Sequence, residues 1–187
     1  MDTQTVMILA GAAIVAAIAL GAWFFYLKQR SAKLQQRFGP EYSRTVDQLG
    51  SQAKAESELA ARQKRVQRFH IVPLTPPEAA RFSEAWKGLQ LRFVDDPKGA
   101  LTEADRLVRE LMTKRGYPMS DFESSAADLS VDHPVVVSNY RAAQLIAERN
   151  GRGEADTEEL RKAVVHYRAL FDDLLDATEP EPREAHR

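Results

Sequence analysis

Residues Val6–Leu27, VMILAGAAIVAAIALGAWFFYL, are 22 consecutive positions without a charged or strongly polar side chain. As a helix with about 1.5 Å of rise per residue, the run is about 33 Å long, enough to cross a bilayer core of about 30 Å. The segment therefore predicts one transmembrane helix at the start of the chain. It is preceded by a leader of five residues, 1–5.

A cleaved export signal fits the segment poorly. Such signals carry a basic start, an apolar core of about 7–15 residues and a small-x-small cleavage site. Here the leader MDTQT has no Lys or Arg, and the apolar run ends in Trp23, Phe24, Phe25 and Tyr26. Aromatic residues at that place suit a membrane–water interface. Lys28, Arg30, Lys33 and Arg37 follow, with no acid before Glu41. Cations resist translocation, so the flank predicts an outside N-terminus and a cytoplasmic C-terminal part. The same four cations suit anionic lipid head groups, at about 1 kcal/mol each near the surface. Ala13, Ala17 and Gly21 recur every fourth residue, a small-residue row of the kind that lets membrane helices pair. Homo-oligomerisation through this row, or through the stalk described next, is the corresponding expectation.

The chain has no cysteine, which excludes disulfides and thiolate chemistry. Its charges are nearly balanced overall but unevenly placed. Between Lys28 and Arg68 there are 10 basic and 4 acidic residues, a net of +6; from Phe69 to Arg187 there are 16 and 22, a net of −6. An acidic body lacks the clustered cations that phosphate contacts require, so nucleic acid is not expected as a partner.

Residues 28–69 read as a basic juxtamembrane stretch and an amphipathic stalk helix. Gly39-Pro40 breaks the pattern, Tyr42, Val46, Leu49 and Ala53 fall near heptad spacing, and Leu59 and Val66 extend the stripe. Gly50-Ser51 interrupts it. A stretch over 70–75 links this part to a helical domain at 76–176. Five helices are predicted there, with apolar stripes at Phe82, Trp86 and Leu89, then Leu101, Ala104, Val108 and Leu111. The stripes continue through Phe122, Ala126 and Leu129, then Tyr140, Ala143 and Ile146, and finally Leu160, Tyr167, Phe171 and Leu174. Thr75-Pro76-Pro77-Glu78 and Ser120-Asp121-Phe122-Glu123 read as capping boxes. No strand-like alternation appears, so the fold class is all-α. The Pro-interrupted tail 177–187 reads as disordered.

The residues with reactive side chains do not assemble into a motif. No pair of histidines has helical metal-site spacing, no phosphate loop is present, and neither a cofactor nor a metal is expected. The acidic pairs Asp95-Asp96 and Glu158-Glu159 stand at helix starts, where the helix dipole favours anions. The most unusual stretch is Ala127–Pro134, ADLSVDHP. It leaves two readings open. In one, Tyr117, Asp132, His133, Tyr140 and Arg141 converge on a polar groove that binds a small ligand or performs catalysis. In the other, Asp132 or Ser130 caps the helix that begins near Pro134.

Several runs carry a resemblance: RFGPEY at 37–42, RFVDDP at 92–97, EADRLV at 103–108, RGYP at 115–118, ADLSVDHP at 127–134 and VHYRALF at 165–171. Together they resemble a family of bacterial proteins with a single N-terminal membrane helix and a helical remainder. The resemblance implies a single-pass bacterial membrane protein and brings no assigned activity, so no catalytic residue is carried over. The expected function is a membrane-tethered interaction or scaffold module that shows an acidic domain to a protein partner at the cytoplasmic face, and no motif calls for an enzymatic role. The alternatives are a small-ligand binder or enzyme that uses the groove around Asp132 and His133, and an extracytoplasmic domain behind an uncleaved signal anchor.

Overall fold

The helix that begins at Thr3 does not stop where the apolar run stops. In the computed structural model it continues unbroken to Phe38 as α1 (Thr3–Phe38), about 54 Å of helix. The structure describes residues 3–176 and, within α1, the side chains at position 11 and from Val15 onward. Val6–Ala10 and Ala12–Ile14 of the apolar run, with Ala13 of the small-residue row, thus lie outside the described side chains, as does the leader. The tail 177–187 lies outside the described residues. Among the described residues no helix is long and apolar enough to cross a membrane. Every described side chain from Val15 to Arg30 is exposed, and burial begins at Ser31.

Seven further helices follow: α2 (Pro40–Leu49), α3 (Gln52–Val66), α4 (Pro76–Arg92), α5 (Pro97–Lys114), α6 (Phe122–Asp132), α7 (Val137–Gly151) and α8 (Thr157–Asp176). There is no strand among the described residues, and the fold is all-α. Gly39 turns the chain sharply at φ 47°, and Gly50 repeats the manoeuvre at φ 61°, where its N–H closes on the Val46 carbonyl. The stalk helix expected over 41–69 is therefore two helices folded back against the end of α1. Leu34, Phe38, Tyr42, Leu59, Val66 and Val131 bury together as a small core.

The larger core belongs to α4–α8. Trp86 stacks on Phe171 with ring centroids 4.5 Å apart, and Leu101, Leu111, Tyr140, Tyr167 and Leu170 are fully buried around them. α8 lies against both α5 and α7, and α4 covers α5. Phe69 and Ile71 pack against both cores, so the expected linker is a seam. α6 completes the join. All seven residues from Ser125 to Val131 are buried, because one side meets the large core and the other meets α1 and α3.

Two local expectations are corrected. Asp121, not Ser120, caps α6, accepting from the Ser124 N–H at 3.0 Å. α7 begins at Val137, three residues after Pro134. Its cap position, Val136, has no capping side chain, and Ser130 donates to the Ala127 carbonyl instead.

At Gly116, φ is 93° and an added Cβ would stand 2.1 Å from the His70 carbonyl oxygen, where the seam crosses the end of α5. Gly116→Ala is expected to destabilise the fold by about 1–3 kcal/mol. Gly88→Ala, in open space within α4, is expected to stabilise it by about 0.5–1 kcal/mol. Thermal unfolding should move the two midpoints in opposite directions.

The start of α4 carries a pH signature. Lys114 and the Thr75 backbone N–H both donate to Glu78, which holds its carboxyl at about 2, below the ordinary 4.5. The unfolded chain thus binds this proton more readily. The contribution is complete above pH 4.5 and fades as pH falls toward about 2. In acid titrations of stability, Glu78→Gln should flatten the slope over that window.

Candidate functional site

The corner between α6 and α7 meets the end of α8, and three of the five sequence-predicted groove residues gather there. The Tyr117 hydroxyl donates to Asp132 Oδ2 at 3.2 Å, and the Tyr117 and His133 rings stand edge to face with centroids 6.1 Å apart. The His133 Nδ1–H donates to Asp173, a residue on the last turn of α8. Arg115, buried behind them, donates to the Leu174 carbonyl at 3.0 Å and so closes the end of α8. Burial pulls its guanidinium pKa down, against the nearby charges of Asp132 and Asp173. The other Asp132 oxygen lies 3.8 Å from the Arg37 guanidinium of α1.

What this corner can do is limited by its size. Asp132, His133, Pro134, Val135, Val136 and Asp173 line a pocket of about 140 Å³. Ligand sites for drug-sized molecules run to about 300–1,000 Å³. Asp173 orients His133 as a general base would be oriented, but no serine or threonine hydroxyl bonds to that imidazole among the described residues. No group of three or more His, Asp or Glu side chains is placed to hold a metal among the described residues.

The other two predicted residues point elsewhere. Tyr140 is part of the large core, packed on Phe122 at 4.9 Å and Tyr167 at 6.3 Å. Its hydroxyl is buried without a hydrogen-bond partner, and burial raises its pKa to about 12. Arg141 reaches the hairpin. It donates to Glu123 at 2.6 Å and to Glu41 at 3.1 Å. There it joins a polar cluster that the sequence reading did not find. Glu41, with only 2% of its side chain exposed, accepts from Arg62 at 3.0 Å and Arg44 at 3.3 Å as well. Glu58 and Glu123 complete the set, pairing with Arg62 at 3.0 Å and with Arg44 at 3.8 Å. Three guanidiniums and three carboxylates thus balance where α2, α3, α6 and α7 meet. The signal was present: Arg62 shares the spacing of Ala55, Leu59 and Val66, a cation on an apolar stripe.

The four cations that follow the apolar run border two clefts beside α1. Lys28 lines one of about 760 Å³ with Ser31, Gln52 and Glu56. Burial opposes ionisation of Glu56 there, but hydrogen bonds from Ser31, Gln52 and Tyr42 outweigh it and hold the carboxyl below its usual range. Arg30, Lys33 and Arg37 line the other cleft, against α3. Comparisons with known protein families, with curated proteins and with solved structures find no match for the chain.

Two substitutions separate structure from chemistry. Glu41→Gln leaves the Arg62 and Arg141 guanidiniums buried beside a neutral amide and should cost about 3–5 kcal/mol in chemical unfolding. Tyr140→Phe removes a buried hydroxyl that makes no bond, so its stability should hold or rise by up to about 1 kcal/mol.

Proposed function

We propose that this protein is a membrane-tethered helical module that presents its acidic α4–α8 domain to a protein partner at the cytoplasmic surface. The observation that carries the reading is the double character of α1. Ile18, Leu20, Trp23, Phe24 and Phe25 of its apolar run are each more than 60% exposed, whereas Leu34 and Phe38 of the same helix are buried in the body. Contiguous exposed apolar surface of that kind needs a partner, and an aromatic run at one end of a 22-residue apolar stretch suits lipid. The cations from Lys28 to Arg37 support an inside position for the body.

The interaction role is favoured over catalysis because the titratable side chains of the α6–α7 corner pair with one another around a pocket of only about 140 Å³. On the domain, Phe93 and Val165 border an exposed cleft of about 170 Å³ between the ends of α4 and α8, and Leu91 and Val94 stand beside it at 76% and 83% exposure. This is the surface we assign to the partner. The resemblance to bacterial single-pass membrane proteins is part of the same proposal, as is pairing of α1 helices through Ala13, Ala17 and Gly21.

Alkaline carbonate extraction of membranes from cells expressing the full chain should leave it in the pellet. A reporter active only in the cytosol, fused after Arg187, should be active. Release by carbonate would end the anchor reading, and a silent reporter on a retained protein would reverse the topology. Crosslinking in intact cells should recover a partner whose yield falls with Val94→Asp.

A further inference from the structure

We propose that the cleft between α1 and α3 seats the phosphate of an anionic phospholipid head group. The inference rests on the reading of α1 as a membrane anchor. Arg30, Lys33 and Arg37 are spaced three and four residues apart, so they share one face of α1. That face does not simply look into solvent. Ala60 and Gln63 of α3 form the opposing wall, and the space between is about 440 Å³.

Three features make this a receptor for an anion. No acidic side chain lines the cleft, and the carboxylates nearest Arg37 and Arg30, those of Asp132 and Glu56, stand outside its walls. Arg37 has its carboxylate partner, Asp132, at 3.8 Å, and neither Arg30 nor Lys33 closes an ion pair among the described residues. The opposing wall offers an amide N–H donor from Gln63 and, at Ala60, a side chain small enough to leave room for a ligand.

Position selects the source of the phosphate. Tyr26 stands at the mouth of the cleft, at the end of the apolar run. Arg30 and Lys33 lie about 5 and 9 Å beyond Leu27 along the helix axis. The head-group layer on each side of the hydrocarbon core is about 5–8 Å deep, so Arg30 sits within it and Lys33 at its outer edge, from where its long side chain reaches back, when the apolar run fills the core. Arg37, about 15 Å beyond Leu27, closes the far end. A lipid phosphate held there keeps its acyl chains beside Tyr26 and the apolar face above it, which a free phosphate has no means to do.

The test is native mass spectrometry of the full chain in detergent micelles, offered phosphatidylglycerol and phosphatidylcholine in equal amounts. Phosphatidylglycerol adducts should dominate, and Lys33→Gln should lower them about fivefold, the effect of one cation near a lipid surface. Ala60→Trp fills the cleft without changing any charge and should abolish the preference. Gln63→Glu places an anion on the same wall and should do so even if the tryptophan variant fails to fold. Equal adducts of both lipids would overturn the proposal, as would a preference untouched by Ala60→Trp and Gln63→Glu, which marks unspecific attraction. Displacement of the lipid by millimolar inorganic phosphate would overturn the lipid as its source. Carbonate extraction separates the two readings: a released chain removes the anchor, whereas a retained chain without lipid preference removes only the cleft.

Discussion

The Glu41 carboxylate, held between Arg62 and Arg141, decides how the α1–α3 hairpin sits on the rest of the molecule. Glu41 lies in the first turn of α2, Arg62 on α3 and Arg141 on α7, so one buried anion ties three helices from two cores. Charges taken out of water need good geometry and full hydrogen bonding to offset the desolvation. Here each guanidinium reaches a second carboxylate at the surface, Glu58 for Arg62 and Glu123 for Arg141. A hydrophobic contact of the same area would tolerate sliding. A set of directional bonds converging on one carboxylate fixes a single register.

Around that tie, α6 serves as the common wall of both cores. A helix on the surface of a domain shows one apolar face, whereas a helix buried on all sides shows no periodic stripe. This is why residues Ala127–Asp132 look unusual in the sequence. Asp128 is buried against the hairpin and binds Arg65 of α3 at 2.6 Å, Ser130 turns its hydroxyl onto its own helix, and Ala126 and Leu129 face the large core. The polar residues of the ADLSVDHP run are thereby accounted for as contacts that a buried helix must make with two neighbours.

The legible part of the chain was the part governed by local periodicity and punctuation. The stripes of α4, α5 and α8, the Thr75–Glu78 capping box at the start of α4, and the breaks at Gly39 and Gly50 all express constraints within a few residues. What escaped depends on partners distant in the chain. Arg141 and Glu41 are separated by 100 positions and Arg65 and Asp128 by 63, and single-sequence spacing carries no record of either pairing. The five predicted groove residues divide for a related reason. Tyr140 and Arg141 are neighbours in sequence, but adjacent helical residues point about 100° apart, one into the core and the other toward the hairpin. Asp173 enters the corner instead, from the last turn of α8, 40 positions away from His133 in the sequence.

The charge asymmetry of the chain acquires a structural meaning from these contacts. The hairpin is the basic segment and α4–α8 the acidic one, and the ties between them run along that split: Arg37 with Asp132, Arg65 with Asp128, Arg44 with Glu123. The Glu41–Arg141 pair reverses the signs at the centre. On the membrane reading, an anionic surface attracts the hairpin and repels the domain, a torque that a flexible tether would dissipate. With α6 packed against both parts and the Glu41 cluster buried between them, that torque acts on one rigid body.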